Sequence, residues 1–268
     1  DHLVIMGGHT AFAPEPIADF VDAFCIGEGE ELALEVANKV AQLKREGLDR
    51  EALLLRLCRE VEGVYVPRFY QFEYFPDGAI ADVVPLKARL PFPVKRRIVH
   101  DFEHAYFPTK QIVPYVETVF ERFSIEIMRG CVNGCRFCQA GMITRTQRQR
   151  SIEKVVELAR KGFAETGYDE IGLLSLSSSD YYGIADLARQ LNDYFEARGV
   201  SVSLPSLRIG TVLATLPKEM SRVRKSGLTL APEAASERLR NIINKPVKDE
   251  HLIAGCLEAF RNGFDHVK

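Results

Sequence analysis

From residue 123 onward, strand-length apolar runs alternate with amphipathic helical segments, and this rhythm limits the fold more than any other feature of the sequence. Strands that alternate with helices pair in parallel through right-handed crossovers. Four such units and a fifth strand therefore predict an open or closed βα barrel of the TIM-like kind. The predicted strands lie at 123–128, 170–176, 200–204, 227–231 and 264–268, and the predicted helices at 152–166, 183–198, 217–225 and, in two pieces, 236–261.

Two shorter strand–turn–helix units precede this region and predict a further α/β layer. The apolar runs at 2–6 and 22–26 end in Gly7-Gly8 and Gly27-Glu28-Gly29, and an amphipathic helix follows the second turn. Such turns are typical of a partial Rossmann-like sheet, whose ligand crevice lies outside the carboxyl ends of its strands. The fold class is thus α/β, with predicted domains at 1–60 (Rossmann-like layer), 61–122 (hairpin and extended linker, with seven of the 13 prolines) and 123–268 (partial barrel).

Composition narrows the class of protein. The 35 basic and 37 acidic residues give a net charge of −2, which excludes histone-like binding of polyanions. No apolar run reaches the roughly 18 residues of a membrane span, and no signal peptide is visible. Six cysteines in 268 residues are too few for a disulfide scaffold. We therefore expect a cytoplasmic protein with no membrane segment, and the strand-like ends of the sequence predict a piece of a longer chain.

The most informative motif is a cysteine triplet directly after the first barrel strand. Cys131, Cys135 and Cys138 lie within eight residues, and Gly130 and Gly134 allow the positive backbone dihedrals that a tight wrap demands. Three thiolates in so short a loop can hold a small inorganic core. A structural zinc ion or an electron-transfer cluster normally takes four protein ligands. Three ligands therefore predict an iron–sulfur cluster with one iron open to a cofactor.

Alternatives from other classes stay open at this point. One is an electron-transfer or cluster-carrier protein. Another is a zinc-stabilised binding module, in which Cys256, His100 or His104 completes the ligand set. The third is three structural thiols without a metal.

The Cys-x-x-x-Cys-x-x-Cys spacing, with the aromatic Phe137 before its last cysteine, resembles the radical S-adenosylmethionine (SAM) superfamily over about 123–268. The resemblance implies that the three thiolates hold a 4Fe–4S cluster, and it places Phe137 among the cofactor-binding residues. It also implies that SAM binds the open iron and is cleaved reductively to a 5′-deoxyadenosyl radical, for chemistry such as methyl or methylthio transfer. An external electron donor, such as flavodoxin or ferredoxin, would be a partner. The resemblance does not identify the substrate, and RNA is not excluded.

The same resemblance assigns SAM-binding roles after the second barrel strand. Ser177, Ser178 and Asp180 stand where the family usually has a Gly-Gly-Glu-like group that binds the ammonium of SAM. Capping of the next helix by these serines and the aspartate is the alternative interpretation.

Further cofactor-binding residues are assigned after the third and fourth strands. Ser206 and Arg208 follow the third strand, and the planar fork of Arg208 suits the carboxylate of SAM. Glu233 begins a stretch similar to the Glu-x-x-Ser-Glu-Arg of methylthiotransferase-like and cobalamin-dependent radical enzymes, which implies a position near the ribose. Helix capping is again the alternative for Glu233 and Ser236.

Two further patterns bear on cofactors. Gly7-Gly8 and Gly27-Glu28-Gly29-Glu30 resemble the turns that precede the cluster motif in cobalamin-binding-type radical SAM proteins. Cobalamin is therefore allowed as a third cofactor, although the Asp-x-His-x-x-Gly signature of a lower axial histidine is absent; a domain that keeps the fold without the cofactor is the alternative. The second pattern is a run of five arginines without an acidic residue between Glu126 and Glu153, which predicts a positive field around the cluster.

Overall fold

In the computed structural model, which describes residues 2–204, 206–210, 219 and 228–268, the chain divides into two units, Asp1–Asp101 and Phe102–Lys268. The hairpin after the first layer belongs to the first unit, and the cysteine triplet belongs to the second. The three predicted domain bounds stay a prediction.

The first unit is an α/β layer followed by a hairpin. Its sheet has the order β1-β2-β3, in which β1 and β2 are parallel and β3 is antiparallel to β2. The sheet is therefore mixed, and its Rossmann-like character stays a prediction. The elements are β1 (Ile5–Met6), β2 (Ala23–Cys25), α1 (Gly29–Arg45), α2 (Arg50–Glu60), β3 (Val64–Tyr65), β4 (Tyr70–Tyr74) and β5 (Ile80–Pro85), with β4 and β5 paired antiparallel.

Helices α1 and α2 form where the sequence places an apolar face, and α2 also has a capping side chain. Asp49 caps α2 by accepting a hydrogen bond from the Ala52 N–H at 2.8 Å. Both helices bury leucines against the sheet, and Phe24 lies in the same core, fully buried. The core of this unit is therefore separate from that of the second unit, as two covered sheets require.

The second unit is built on a parallel sheet of order β10-β9-β6, in which Phe123 is opposite Ile171. Its strands are β6 (Phe123–Glu126), β7 (Met128–Arg129), β8 (Arg148–Gln149), β9 (Glu170–Leu174) and β10 (Ser201–Ser203). Its helices are α3 (Gln139–Ile143), α4 (Ile152–Thr166), α5 (Ile184–Phe195), α6 (Glu237–Ile242) and α7 (Asp249–Arg261).

Helix α4 shows how closely the helices cover this sheet. Ser151 caps its first turn, and Gly167 ends it in the left-handed conformation, so its bounds agree with the predicted 152–166. A Cβ added at Gly162 would lie 2.1 Å from the Phe123 ring, so only glycine fits between the helix and β6. Crossover helices packed this closely leave the carboxyl ends of the strands as the accessible edge.

The later part of the predicted barrel is only partly represented among the described residues. The strands predicted at 227–231 and 264–268 are reduced to one parallel bridge between Leu228 and Val267. The helix predicted at 217–225 lies outside the described residues, apart from Glu219. The described strands thus form part of a parallel βα sheet, and closure into a barrel stays a prediction. None of the described helices has the length and apolarity needed to cross a membrane.

Candidate functional site

The cysteine loop follows β6 and is enclosed at its base by a short antiparallel pair. Strands β7 and β8 pair Met128 with Gln149 and Arg129 with Arg148, so the chain leaves and re-enters the sheet edge at one place. Gly130 has φ 84°, and a Cβ there would lie 2.8 Å from the carbonyl oxygens of both Thr144 and Thr146. Sequence reasoning predicted the need for glycine but not the strand pair that causes it.

The three thiols are free and half-buried, and backbone N–H groups point at two of them. Cys131 Sγ accepts hydrogen bonds from the backbone N–H and the side-chain amide of Asn133, at 3.5 and 3.3 Å. Cys138 Sγ caps α3 by accepting from the Gly141 N–H at 3.3 Å, while its own N–H donates to Cys135 O at 3.0 Å. Donors of this kind tune and orient thiolate ligands.

The donor set fits an iron–sulfur cluster better than a single ion. A Cβ at Gly141 would lie 3.5 Å from Cys138 Sγ and 4.0 Å from Cys131 Cβ, so the glycine leaves room beside these two cysteines. Within the described residues, no three His, Cys, Asp or Glu side chains converge as ligands of one metal ion. A cluster would take each thiolate on a different iron, so its thiolates would surround a core larger than one ion.

The segment after α6 holds the outer part of the loop. The backbone N–H of Arg136 donates to Ile243 O at 3.0 Å, and its guanidinium donates to Ile242 O at 2.6 Å. The Asn244 amide donates to the carbonyls of Asn133 and Gly134, at 3.2 and 2.9 Å. Sequence reasoning missed Asn244, whose φ of 56° uses the tolerance of asparagine for the left-handed region.

A single amide connects the cysteine loop to the segment after β9. The side-chain Nδ2 of Asn133 lies 3.3 Å from Cys131 Sγ and 2.5 Å from Asp180 Oδ2. The structure thus brings Asp180 beside the first cysteine, although 49 residues separate them in sequence. Asn133 was not predicted as a site residue, because its two partners become neighbours only in the folded chain.

The serines before Asp180 are joined to the segment after β10. The Ser178 N–H donates to Ser206 O at 2.7 Å, and the Arg208 N–H donates to Ser179 Oγ at 2.8 Å. Ser177 Oγ is buried and has no hydrogen-bond partner among the described residues. These side chains do not cap α5, which begins after Gly183 without a side-chain cap, so the capping interpretation is wrong here.

Glu233 and Phe137 are placed differently from these residues. Glu233 is exposed, has φ 69°, and accepts an ion pair from Lys245 Nζ at 2.8 Å. Ser236 caps α6 through the Leu239 N–H at 3.4 Å, so for this serine the capping interpretation holds. The Phe137 side chain is 55% exposed beside Cys138.

Two of the five arginines around the loop serve the fold rather than a positive field. Arg129 makes a bidentate ion pair with Glu126, at 2.9 and 2.6 Å. Arg150 is 1% exposed, donates to the carbonyls of Glu126 and Glu103, and lies over the Phe102 ring. The predicted field therefore rests on the other three, Arg136, Arg145 and Arg148.

The second glycine turn of the first unit is occupied by the chain itself. Gly27 has φ 123°, and a Cβ there would lie 2.3 Å from Arg97 O. Arg97 N–H donates to Ile26 O at 2.9 Å, and the Glu28 carboxylate accepts from the Val99 N–H at 2.6 Å. The close backbone approach that this glycine permits is thus made by residues 97–99.

An apolar cavity of about 650 Å³ lies beside the residues that follow β1 and β2. Among the described residues no histidine lines it, so the side chains that do line it offer no lower axial ligand for cobalt. Its lining includes Phe12, Ile26, Tyr65, Phe72, Val83 and Phe92.

Comparison with protein-family models gives two matches. A model described as the radical SAM superfamily matches residues 125–268, which is more than half of the chain. A model described as the N-terminal region of radical SAM proteins matches residues 1–67.

Curated relatives cover different parts of the chain. An uncharacterised protein of Methanocaldococcus jannaschii is 30% identical over 257 residues, which are 94% of this chain and 47% of the relative. The ribosomal protein uS12 methylthiotransferase RimO of Prochlorococcus marinus is 34% identical over 113 residues, which are 40% of this chain and 24% of the relative.

Solved structures share the fold over nearly the whole chain. The cobalamin-dependent SAM radical enzyme OxsB, with aqua-cobalamin and SAM bound, has a TM-score of 0.61 at 13% identity, covering 99% of this chain and 36% of that one. The radical SAM methyltransferase TsrM from Kitasatospora setae, with cobalamin and a [4Fe-4S] cluster bound, has a TM-score of 0.62 at 15% identity, covering 100% and 49%. This chain spans less than half the length of each of these four relatives.

Proposed function

This chain belongs to the radical SAM superfamily, and from that premise we propose that it is a radical enzyme whose Cys131, Cys135 and Cys138 hold a 4Fe–4S cluster open to SAM. The family implies both cofactors, as the resemblance predicted. When bound, the cluster supplies the electron that cleaves SAM to methionine and a 5′-deoxyadenosyl radical.

The observation that carries the proposal is the amide of Asn133, which contacts both Cys131 Sγ and the Asp180 carboxylate. A chelating amino acid would need a carboxylate to accept from its amino group and a cation to pair with its carboxylate. Asp180 supplies the first. The bridge fixes the position of this carboxylate relative to the thiolate before any ligand arrives, which lowers the cost of ordering the site on binding.

The backbone and hydroxyl contacts around the serines position the second half of the site. Ser178 binds the backbone of Ser206, and Ser179 binds the backbone of Arg208, so the segment that carries the arginine is held against the segment that carries Asp180. We propose that Arg208 pairs with the SAM carboxylate and that the buried hydroxyl of Ser177 donates to the same group. A buried hydroxyl without a partner is costly, and a ligand would satisfy it.

Phe137 and Glu233 complete the proposed SAM site at its edge. The exposed ring of Phe137 beside Cys138 offers an apolar face for the nucleoside. Glu233 would exchange its ion pair with Lys245 for a hydrogen bond from a ribose hydroxyl.

The reaction class that we propose is transfer of a methyl or methylthio group. The match to a uS12 methylthiotransferase and the shared fold with a radical SAM methyltransferase support it. Cobalamin stays an allowed third cofactor, but the second glycine turn does not offer it a backbone contact, since residues 97–99 fill that turn. A cytoplasmic location stays a prediction.

Anaerobic reconstitution tests the proposal. We expect close to four iron and four sulfide per chain in the wild type and close to none when the three loop cysteines are changed to alanine together. Cys256→Ala, which removes a half-buried free cysteine of α7, is the matched control and should keep full loading. With SAM and dithionite the loaded wild type should release 5′-deoxyadenosine; stoichiometric zinc without sulfide in anaerobically purified protein would contradict the proposal.

A further inference from the structure

A buried arginine lies behind the segment that bonds the outer part of the cysteine loop. Arg240 of α6 is 1% exposed, and each of its three guanidinium nitrogens donates a hydrogen bond. The acceptors are the carbonyl oxygens of Val247, Ala234 and Ala235, at 2.6, 3.0 and 2.8 Å, and the carboxylate of Asp249. These acceptors lie before and after α6 in the chain, so one side chain joins the two flanks of this helix.

Residues 233–249 are called the clamp below, because they bond the cysteine loop from outside. Arg240 also closes the base of the clamp through its backbone, since its carbonyl accepts from the Lys245 N–H at 2.8 Å. The turn between these two residues carries Asn244, whose amide donates to two carbonyls of the cysteine loop. The side chain and the carbonyl of Arg240 therefore fix the turn from which Asn244 reaches the loop.

Stability alone does not account for a guanidinium at this buried position. A buried charge costs free energy unless it is paired and hydrogen-bonded, and a buried ion pair often stabilises no more than apolar side chains of similar volume. The carboxylate that pairs with Arg240, on Asp249, is 62% exposed, so solvent screens the pair. A guanidinium differs from an apolar side chain in that its planar fork fixes the directions of several acceptors at once.

The clamp bonds the cysteine loop on both sides of the middle thiol, Cys135. The Gly134 carbonyl accepts from Asn244 at 2.9 Å, and the Arg136 N–H donates to Ile243 O at 3.0 Å. The first and third thiols accept hydrogen bonds from N–H groups within the loop itself. The position of Cys135 thus depends on a segment more than 100 residues later in the chain.

We propose that Arg240 is a positioning residue for Cys135, which it holds through the clamp in the place where the thiolate ligates the cluster. This inference rests on the proposed function. The side-chain hydrogen bonds that the described residues show for Arg240 all end within the clamp, so Arg240 acts on the thiol through other residues. Disturbing the clamp should speed the loss of iron from a loaded cluster, while excess iron and sulfide should still load it.

Release of iron to a chelator is the first arm of the test and needs no turnover. The anaerobically reconstituted protein would be mixed with an excess of EDTA, and the loss of cluster absorbance followed with time. We expect Arg240→Lys, which keeps the charge but lacks the planar fork, to load as the wild type does and to release iron about tenfold faster. Leu191→Ala, which leaves a cavity at a fully buried leucine of α5, is the matched control for general destabilisation and should release iron at the wild-type rate.

A double variant tests whether Arg240 acts through the clamp. Asn244→Gly tolerates the left-handed φ of 56° and removes the amide that bonds the loop. Because both changes would affect one contact, Arg240→Lys combined with Asn244→Gly should release iron at about the rate of the faster single variant. Effects that multiply would show two independent sites and would refute the assignment.

Two further results would overturn the inference. One is release at the wild-type rate by a fully loaded Arg240→Lys protein, and the other is equally fast release by Leu191→Ala, which would reduce the effect to general stability. If Arg240→Lys does not fold, Asp249→Ala removes an exposed acceptor of the guanidinium and must itself release iron faster than the wild type. A wild type that takes up no iron and sulfide would refute the proposed function instead.

Discussion

The Asp180→Asn variant isolates the charge that the proposed SAM site depends on. The substitution keeps an oxygen that can accept from Asn133, whose amide lies 2.5 Å from Asp180 Oδ2, and removes only the negative charge. The cysteine loop should therefore keep its geometry, and iron loading should stay at the wild-type level. A charge-assisted hydrogen bond from the SAM amino group to the Asp180 carboxylate is worth about 1.5–3 kcal/mol. At 1.4 kcal/mol for each factor of ten, SAM should bind about 10- to 150-fold more weakly.

Equilibrium titration of SAM into anaerobically reconstituted protein measures this change, with iron and sulfide counted in every sample. Asp186→Asn is the matched control, because Asp186 is an exposed acid of α5 whose ion pair with Arg189 lies on the helix surface. Its affinity for SAM should equal that of the wild type. If Asp180→Asn binds SAM normally while fully loaded, the SAM amino group is held by another residue and the assignment based on the Asn133 bridge is wrong.

Two further predictions concern the scaffold. Gly130→Ala should reduce iron loading to less than half and lower the unfolding temperature, because its φ is 84° and its Cβ would meet two carbonyl oxygens at 2.8 Å; Gly199→Ala, with φ 69° but no atom within 4 Å, controls for the dihedral alone. Asp22 is buried, which raises its pKa, but hydrogen bonds from Val4 N–H and Arg50 outweigh this and hold the pKa below its usual 3.8. A carboxyl group whose pKa is lower in the folded state stabilises the protein when the pH is above the pKa of the group in the unfolded state. This stabilisation is lost as the pH falls through the pKa of the folded state. Asp22→Asn should thus destabilise the protein at pH 7 by about 1–3 kcal/mol and flatten the loss of stability below about pH 4, as urea unfolding across pH would show.

Local sequence patterns predicted much of the fold, because the bounds of a helix or strand depend on residues within that segment. The apolar spacing and the Ser151 and Gly167 caps set the bounds of α4, and the strand–helix rhythm set the parallel order of β6, β9 and β10. The superfamily was likewise predicted from eight residues, since three thiols in one loop have few other uses.

The parts that sequence reasoning missed are contacts between distant segments. Strands β7 and β8 have two residues each, which is too few to show the alternating pattern of a strand. The apolar run of β3 does not reveal that it pairs antiparallel. The burial of Arg150 depends on carbonyls 24 and 47 residues away, so its charge looked available in the sequence. Nothing in the sequence around Asn133 and Asn244 indicates that they are site residues. The cysteines of this site can therefore be predicted from the sequence, whereas the residues that position them cannot, because they come from distant segments.

The hydrogen bonds from Asn244 to the cysteine loop can form only late in synthesis of the chain. The loop at 131–138 emerges from the ribosome about 110 residues before Asn244, whose amide donates a hydrogen bond to the Gly134 carbonyl. At roughly 5–20 residues per second, the nascent thiols wait about 5–20 seconds without it. During that interval the loop can form its own turns, but the segment after α6 that bonds its outer part has not yet been synthesised. Delivery of iron and sulfide to a finished site is thus a late event, and a chain that stops short of residue 244 would display three cysteines to any soft metal in the cell.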